Sequence, residues 1–301
     1  MPPKVNSLTL AFAAGGAKCA AHAGVLAVLA DARLPVGAIA GTSAGGLVGI
    51  LHALGWSPTS IRDYIADTSL AGVWEVDPDG HAIFGPSKVR ARIRQAVGRA
   101  TFADLKIPVT LVAADVRTRR EVRITSGRLD EALAATMAIP GIFSPVSREG
   151  GRLVDGGIVN PLPVDVARAM GPNVVAVDIV HHQGREGAPM QFVEVRGPVS
   201  YALEIARRLR LTGIMQSVHD AADVTAHRLV EYALKESPPD LVIRPEAGAI
   251  GLFAFDRANE AYRLGEAAAC AALPQLEALA RPRPAPFWQR VFGWANKTER
   301  G

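Results

Sequence analysis

Apolar positions along the chain follow two periods, and their alternation predicts the architecture. Leu8–Phe12 and Val36–Ala40 are short, continuous apolar runs, as in strands buried on both faces. Each is followed by a glycine-containing turn and then a helical stretch, Ala- and Leu-rich to Ala30 in the first case and Ala44–Leu54 in the second. Strand, glycine turn and helix in repetition predict parallel βαβ units. Ser57-Pro58 supplies a capping serine and a first-turn proline for a helix reaching about Asp67. Leu70–Pro86 has no period and reads as a long surface loop over a site. Lys88–Val97 is a basic amphipathic helix. Val109–Ala114 and Glu121–Ile124 are strands of a hairpin, and Leu129–Met137 is a helix stopped by Ile139-Pro140-Gly141. Beyond lie a short strand at Arg152–Val154, a helix at Pro163–Met170, a buried strand at Val174–Ile179 and a polar loop at His181–Pro189. Helical stretches at Val199–Lys235 and Arg257–Ala280 flank a strand at Leu241–Ile243. The expected fold is a three-layer α/β/α domain over residues 1–280 with a central, mainly parallel sheet. A Pro-rich linker from Arg281 and an amphipathic tail complete residues 281–301.

One segment invites a different reading. Leu34–Ile61 holds no Asp, Glu, Lys or Arg across 28 residues, longer than a membrane span requires. It also holds six glycines, Pro35, Pro58, His52 and the run Gly41-Thr42-Ser43-Ala44-Gly45, which do not suit a straight lipid-facing helix. A buried strand, a tight turn and a buried helix explain the lack of charge better, because an unpaired charge there would be costly. The N-terminus lacks the apolar core and cleavage site of a signal peptide, so a cytoplasmic location is expected.

Composition then excludes several classes. Hydrophobic residues make up 49% and charged residues 21%, too apolar for a disordered chain. The net charge of +4 is too small to argue for nucleic acid. Cys19 and Cys270 are the two cysteines, too few for a disulfide framework or a four-cysteine zinc site.

Three motifs carry chemistry. Gly41-Thr42-Ser43-Ala44-Gly45 is a G-x-S-x-G run between a predicted strand and a predicted helix. A sharp turn there projects a serine oxygen into a cleft while the flanking glycines let strand and helix approach. Ala14-Gly15-Gly16-Ala17-Lys18-Cys19 follows the first strand. Its backbone N–H groups at Gly15, Gly16, Ala17 and Lys18 are candidates to face a developing oxyanion. It matches neither a complete phosphate-binding loop nor a dinucleotide fingerprint. Asp155-Gly156-Gly157 follows a short strand; a carboxylate there can serve as the base that a serine nucleophile needs, and D-G-G is also a common plain turn.

In this order the three motifs resemble the patatin-like phospholipases. The stretches Ala21–Leu26, Ala138–Phe143 and Asp155–Pro163 extend the likeness, which is clear over about residues 8–180. The resemblance implies a Ser–Asp dyad: Ser43 as nucleophile, Asp155 as general base, amides around Gly15, Gly16 and Ala17 as oxyanion donors, an acyl-enzyme, and no metal or other cofactor. The implied substrate is a phospholipid, a lysophospholipid or a related carboxylic ester. A general esterase or thioesterase uses the same residues. A non-catalytic lipid-binding or regulatory protein on the same scaffold is the alternative of a different class. It draws on two departures from the family's G-G-G-x-[RK]-G, where Ala14 and Cys19 replace glycines; a Cys19 forced to positive φ would be strained.

Histidines leave a rival mechanism open. His181, His182, His219 and His227 all follow Asp155, the chain order of a Ser–acid–His triad. His22 and His52 read as structural. Lys88, Arg90, Arg92, Arg94 and Arg99 on the basic helix, and Arg117, Arg119, Arg120 and Arg123 on the hairpin, read mainly as solvated faces. In the tail, Phe287, Trp288, Phe292 and Trp294 fall in one helical arc of roughly 160° with Arg290 and Lys297 opposite. That pattern suits either a peripheral membrane anchor or a helix docked on protein.

Overall fold

The computed structural model describes residues 6–68, 82, 85–181 and 211–281. Eight strands form one mixed, mostly parallel sheet: β1 (Leu8–Phe12), β2 (Val36–Thr42), β3 (Val109–Asp115), β4 (Arg120–Ile124), β5 (Val146–Arg148), β6 (Gly151–Asp155), β7 (Val174–Val177) and β8 (Leu241–Ile243). The path across it runs β5-β6-β3-β2-β1-β7-β8, with β4 also paired to β3. The run from β3 through β2, β1 and β7 to β8 is parallel, while β4, β5 and β6 pair antiparallel. The helices are α1 (Ala20–Asp31), α2 (Ala44–Ala53), α3 (Pro58–Ala66), α4 (Pro86–Val97), α5 (Leu129–Thr136), α6 (Val164–Met170), α7 (Leu211–Glu236), α8 (Ala258–Ala271) and α9 (Leu273–Ala280).

Among the described residues, which leave out 182–189 of the expected polar loop and 199–210 of the expected helical stretch, the elements form where the apolar periods predict them, with three differences. β5 has no counterpart in the expected elements; Val146 and Arg148 are only half-buried, Ser147 between them is exposed, and three residues carry little alternation. The helical stretch Arg257–Ala280 divides at Ala272, just ahead of Pro274, whose ring forbids an uninterrupted ladder. β6 and β5 turn the sheet antiparallel beyond β3, so parallel pairing covers only the part of the sheet built by βαβ crossovers.

The charge-free stretch holds β2, a tight turn and α2, and ends in the largely exposed first turn of α3. Every residue of α2 from Ala44 to Leu51 is buried, which is why no charge is tolerated there. Two glycines allow the packing: a Cβ on Gly41 would stand 2.6 Å from Gly46 of α2, and one on Gly45 2.5 Å from the Ala13 carbonyl. Among the described residues no helix is long and apolar enough to cross a membrane. The expected loop at Leu70–Pro86 falls almost wholly outside the described residues, as do His182 and the aromatic tail from residue 282.

The sheet's register brings distant residues together. Along β3, Leu111 and Val112 pair with Gly41 and Thr42 of β2, while Ala113 to Asp115 pair with Asp155 to Leu153 of β6. β4 takes the opposite edge throughout. So β2 and β6 meet end to end along one edge of β3, and Ser43 and Asp155 sit at the junction.

Candidate active site

Ser43 stands between β2 and α2 with φ 54° and ψ −128°, a positive-φ geometry that an L residue holds only under constraint. The constraint comes from both sides. Its N–H donates to Thr136 Oγ1 at 2.9 Å, and the preceding Thr42 Oγ1 donates to the Asn160 carbonyl at 2.8 Å. Asn160 is itself fixed, its amide donating to Glu121 and Asp165 at 2.8 Å each, while Arg123 bridges those carboxylates. One of the hairpin arginines read as solvated thus holds the loop behind the site.

The Ser43 hydroxyl donates directly to Asp155 Oδ2 at 2.5 Å, and the other carboxylate oxygen accepts the Gly157 N–H at 2.7 Å. Both side chains are 5% exposed. Burial pushes the Asp155 carboxyl up to about 6, against the lowering effect of the Ser43 and Gly157 hydrogen bonds. Among the described residues no histidine hydrogen-bonds to Ser43 or Asp155. Gly156 must be glycine because a Cβ there would stand 2.3 Å from the Val112 carbonyl.

The glycine loop lies beside this pair. Gly16 takes φ +56°, and a Cβ on it would meet the Leu252 carbonyl at 2.2 Å. Its four candidate amides divide. Ala17 N–H donates to Leu252 O at 2.9 Å and Lys18 N–H to Gly15 O at 3.2 Å. Among the described residues no acceptor takes the N–H of Gly15 or Gly16. Ala14 N–H donates to Pro161 O at 2.8 Å, tying this loop to the one after Asp155.

The two departures from the family pattern cost the backbone nothing. Cys19 is right-handed helical (φ −60°, ψ −17°), and Ala14 is not among the positive-φ residues. The buried Cys19 thiol is pushed up to about 12 by desolvation, which makes it a packing group at neutral pH. His22 is structural: Nε2 donates to Ala13 O at 2.9 Å, the ring stacks on Phe12 at 4.4 Å, and burial lowers it to about 4. The basic helix is a solvated face only in part: Lys88, Arg94 and Arg99 are exposed, while Arg90 and Arg92 are half-buried. Arg90 and Arg94 reach the buried Asp130 at 3.1 and 2.8 Å. Burial would raise the Asp130 carboxyl, but hydrogen bonds from Arg128, Arg94 and Arg90 hold it well below the usual carboxylate range. Arg92 lies over the Tyr64 ring at 4.3 Å.

Ser43 stands between two cavities. The larger, about 510 Å³, is lined by Asp155, Gly15, Ile142, Ile158 and, from α7, Val218 and Ala222. The smaller, about 90 Å³, is lined by Leu47, Tyr64, Ile65, Arg92, Ile93 and Phe253. Lys18 lines the larger one; burial lowers its ammonium, and Asp223 and Asp178 oppose that. Among the described residues no group of three or more His, Cys, Asp or Glu side chains is arranged to hold a metal.

Residues 10–168 match the family model described as patatin-like phospholipase. The chain is 34% identical over 189 residues to an uncharacterised NTE-family protein of Mycobacterium tuberculosis, covering 62% of this chain and 52% of that one. A second uncharacterised NTE-family protein of that species is 29% identical over 279 residues, 89% of this chain and 46% of its own. Patatin-like phospholipase domain-containing protein 7 of Rattus norvegicus is 32% identical over 184 residues, 58% of this chain and 14% of its own. The chain therefore spans about half the length of the mycobacterial relatives it matches. VipD from Legionella pneumophila shares the fold at a TM-score of 0.57 and 13% identity, covering 92% of this chain and 67% of that one.

Proposed function

Because the chain belongs to the patatin-like phospholipase family, we propose that it is a lipid acyl hydrolase working through a Ser43–Asp155 dyad. The observation that carries this is the direct 2.5 Å hydrogen bond from the serine hydroxyl to a buried carboxylate poised near 6. Asp155 Oδ2 takes the Ser43 proton as Oγ attacks the ester carbonyl carbon. The Gly15 and Gly16 N–H groups face the tetrahedral oxygen. Collapse breaks the bond to the alcohol oxygen, which receives the proton from Asp155, and leaves the acyl group on Ser43. Water, giving its proton to Asp155, then attacks the acyl carbonyl; the carboxylic acid departs and Ser43 regains its hydrogen.

The substrate class follows from the walls. The larger cavity is mostly aliphatic, which supports an ester with a hydrocarbon arm of lipid size. Labelling with a fluorophosphonate tests the nucleophile: one phosphonyl group on Ser43, lost in Ser43→Ala, is expected. An unlabelled native protein would point instead to a non-catalytic scaffold. A hydrolysis panel of phospholipids, lysophospholipids and short acyl esters, with Ser43→Ala as blank, separates lipid from general esterase activity. His181→Ala should keep turnover; its loss would favour the triad.

A further inference from the structure

We propose that Thr136 is a positioning residue for the nucleophile, and that the segment Thr136–Ala138 holds both members of the dyad in register. This inference rests on Ser43 being the nucleophile. Thr136 is the last residue of α5 and fully buried. Its hydroxyl oxygen accepts the Ser43 N–H at 2.9 Å, and its hydroxyl hydrogen goes to the Val112 carbonyl. Val112 is the β3 residue opposite Thr42, at the point where β2 gives way to β6. Two residues on, the Ala138 carbonyl accepts the Asp155 N–H at 2.9 Å.

One short stretch therefore grips the backbone of the serine through a side chain and the backbone of the aspartate through a carbonyl. Neither bond belongs to the sheet ladder. The need for the first is plain from Ser43's φ of 54°, because a residue in that region stays there only if its surroundings fix it. A hydroxyl is the group that fits, since it accepts from one backbone group while donating to another. Valine has the same shape and can do neither. With its N–H held by Thr136, Ser43 contributes no main-chain donor to an oxyanion, which leaves that task to the glycine loop.

The test compares Thr136→Val, Thr136→Ala and Thr136→Ser. The readouts are the rate of Ser43 phosphonylation, the split between kcat and KM on a hydrolysed ester, and near-UV circular dichroism for the folded state. Loss of the hydroxyl should lower the phosphonylation rate and kcat by about a hundred-fold, as for a misplacement of about 1 Å, with KM unchanged. Thr136→Ser should restore both. A purely structural threonine would lower the melting temperature and leave the reaction rate of the folded fraction untouched, and that result overturns the proposal. Should the valine variant not fold, Thr136→Ala, which removes the hydroxyl without crowding, decides the matter on the same rates. Failure of the wild-type protein to react at Ser43 would instead overturn the proposed function.

Discussion

Replacing Asp155 by asparagine should abolish turnover and make the protein more stable at alkaline pH. Burial raises the Asp155 carboxyl from its ordinary 3.8 to about 6. At about 1.4 kcal/mol for each pH unit, holding that charge in the folded state costs about 3 kcal/mol once the group is ionised. The folded value lies above the unfolded one, so the cost is absent below 3.8, grows as pH rises towards 6 and is constant beyond. At pH 5 it is about 1.5 kcal/mol and at pH 8 about 3 kcal/mol. Asparagine is neutral at both, its carbonyl can still accept the Gly157 N–H, and any change in the contact with Ser43 is the same at either pH. Urea unfolding of both proteins at pH 5 and pH 8 should show the asparagine variant's relative stability rising by about 1.5 kcal/mol between the two. An equal difference at both pH values, or a variant that loses ground at pH 8, would refute the claim that function holds a buried charge here at the expense of stability.

Further outcomes follow from the same geometry. The rate constant kcat/KM should rise about tenfold per pH unit up to about 6 and level above it, since Asp155 must be ionised to accept the serine proton; a flat profile from pH 5 to 8 would remove it as the base. Gly16→Ala should destabilise by about 1–3 kcal/mol and slow acylation of Ser43, read by denaturation and fluorophosphonate labelling, whereas Ala14→Gly should leave the rate unchanged. In the native protein a thiol reagent should titrate the exposed Cys270 and spare Cys19, with both reacting after unfolding. If the aromatic tail anchors the protein to lipid, ending the chain at Arg281 should abolish liposome binding measured by co-sedimentation; undiminished binding would rule that role out.

Much of the fold was legible because its elements are locally coded. The runs at Leu8–Phe12 and Leu241–Ile243 have the boundaries of β1 and β8, and G-x-S-x-G marked the turn at Ser43 because tight turns and close helix approach demand glycine at particular places. The third candidate was legible for the same reason, since Asp155-Gly156-Gly157 packs against the Val112 carbonyl, where a side chain would clash. The weak strand Val146–Arg148 was not legible because three residues, two half-buried and one exposed, carry almost no periodicity. Ala17 and Lys18 looked equivalent to Gly15 and Gly16 because every residue of a loop has an N–H; only the fold shows that Leu252, over 230 residues away, takes one of them.

The order of local elements, the burial of the charge-free stretch and the identity of Ser43, Asp155 and the glycine loop as candidates belong to the sequence. They depend on side-chain period and on where glycine is obligatory, and both are properties of neighbouring residues. The meeting of β2 and β6 on one edge of β3, the grip of Thr136 on the serine backbone and the raised Asp155 carboxyl were decided by tertiary structure. Each depends on what a group faces across the fold, whether a hydrogen-bond partner or an absence of water, and no spacing along the chain encodes that.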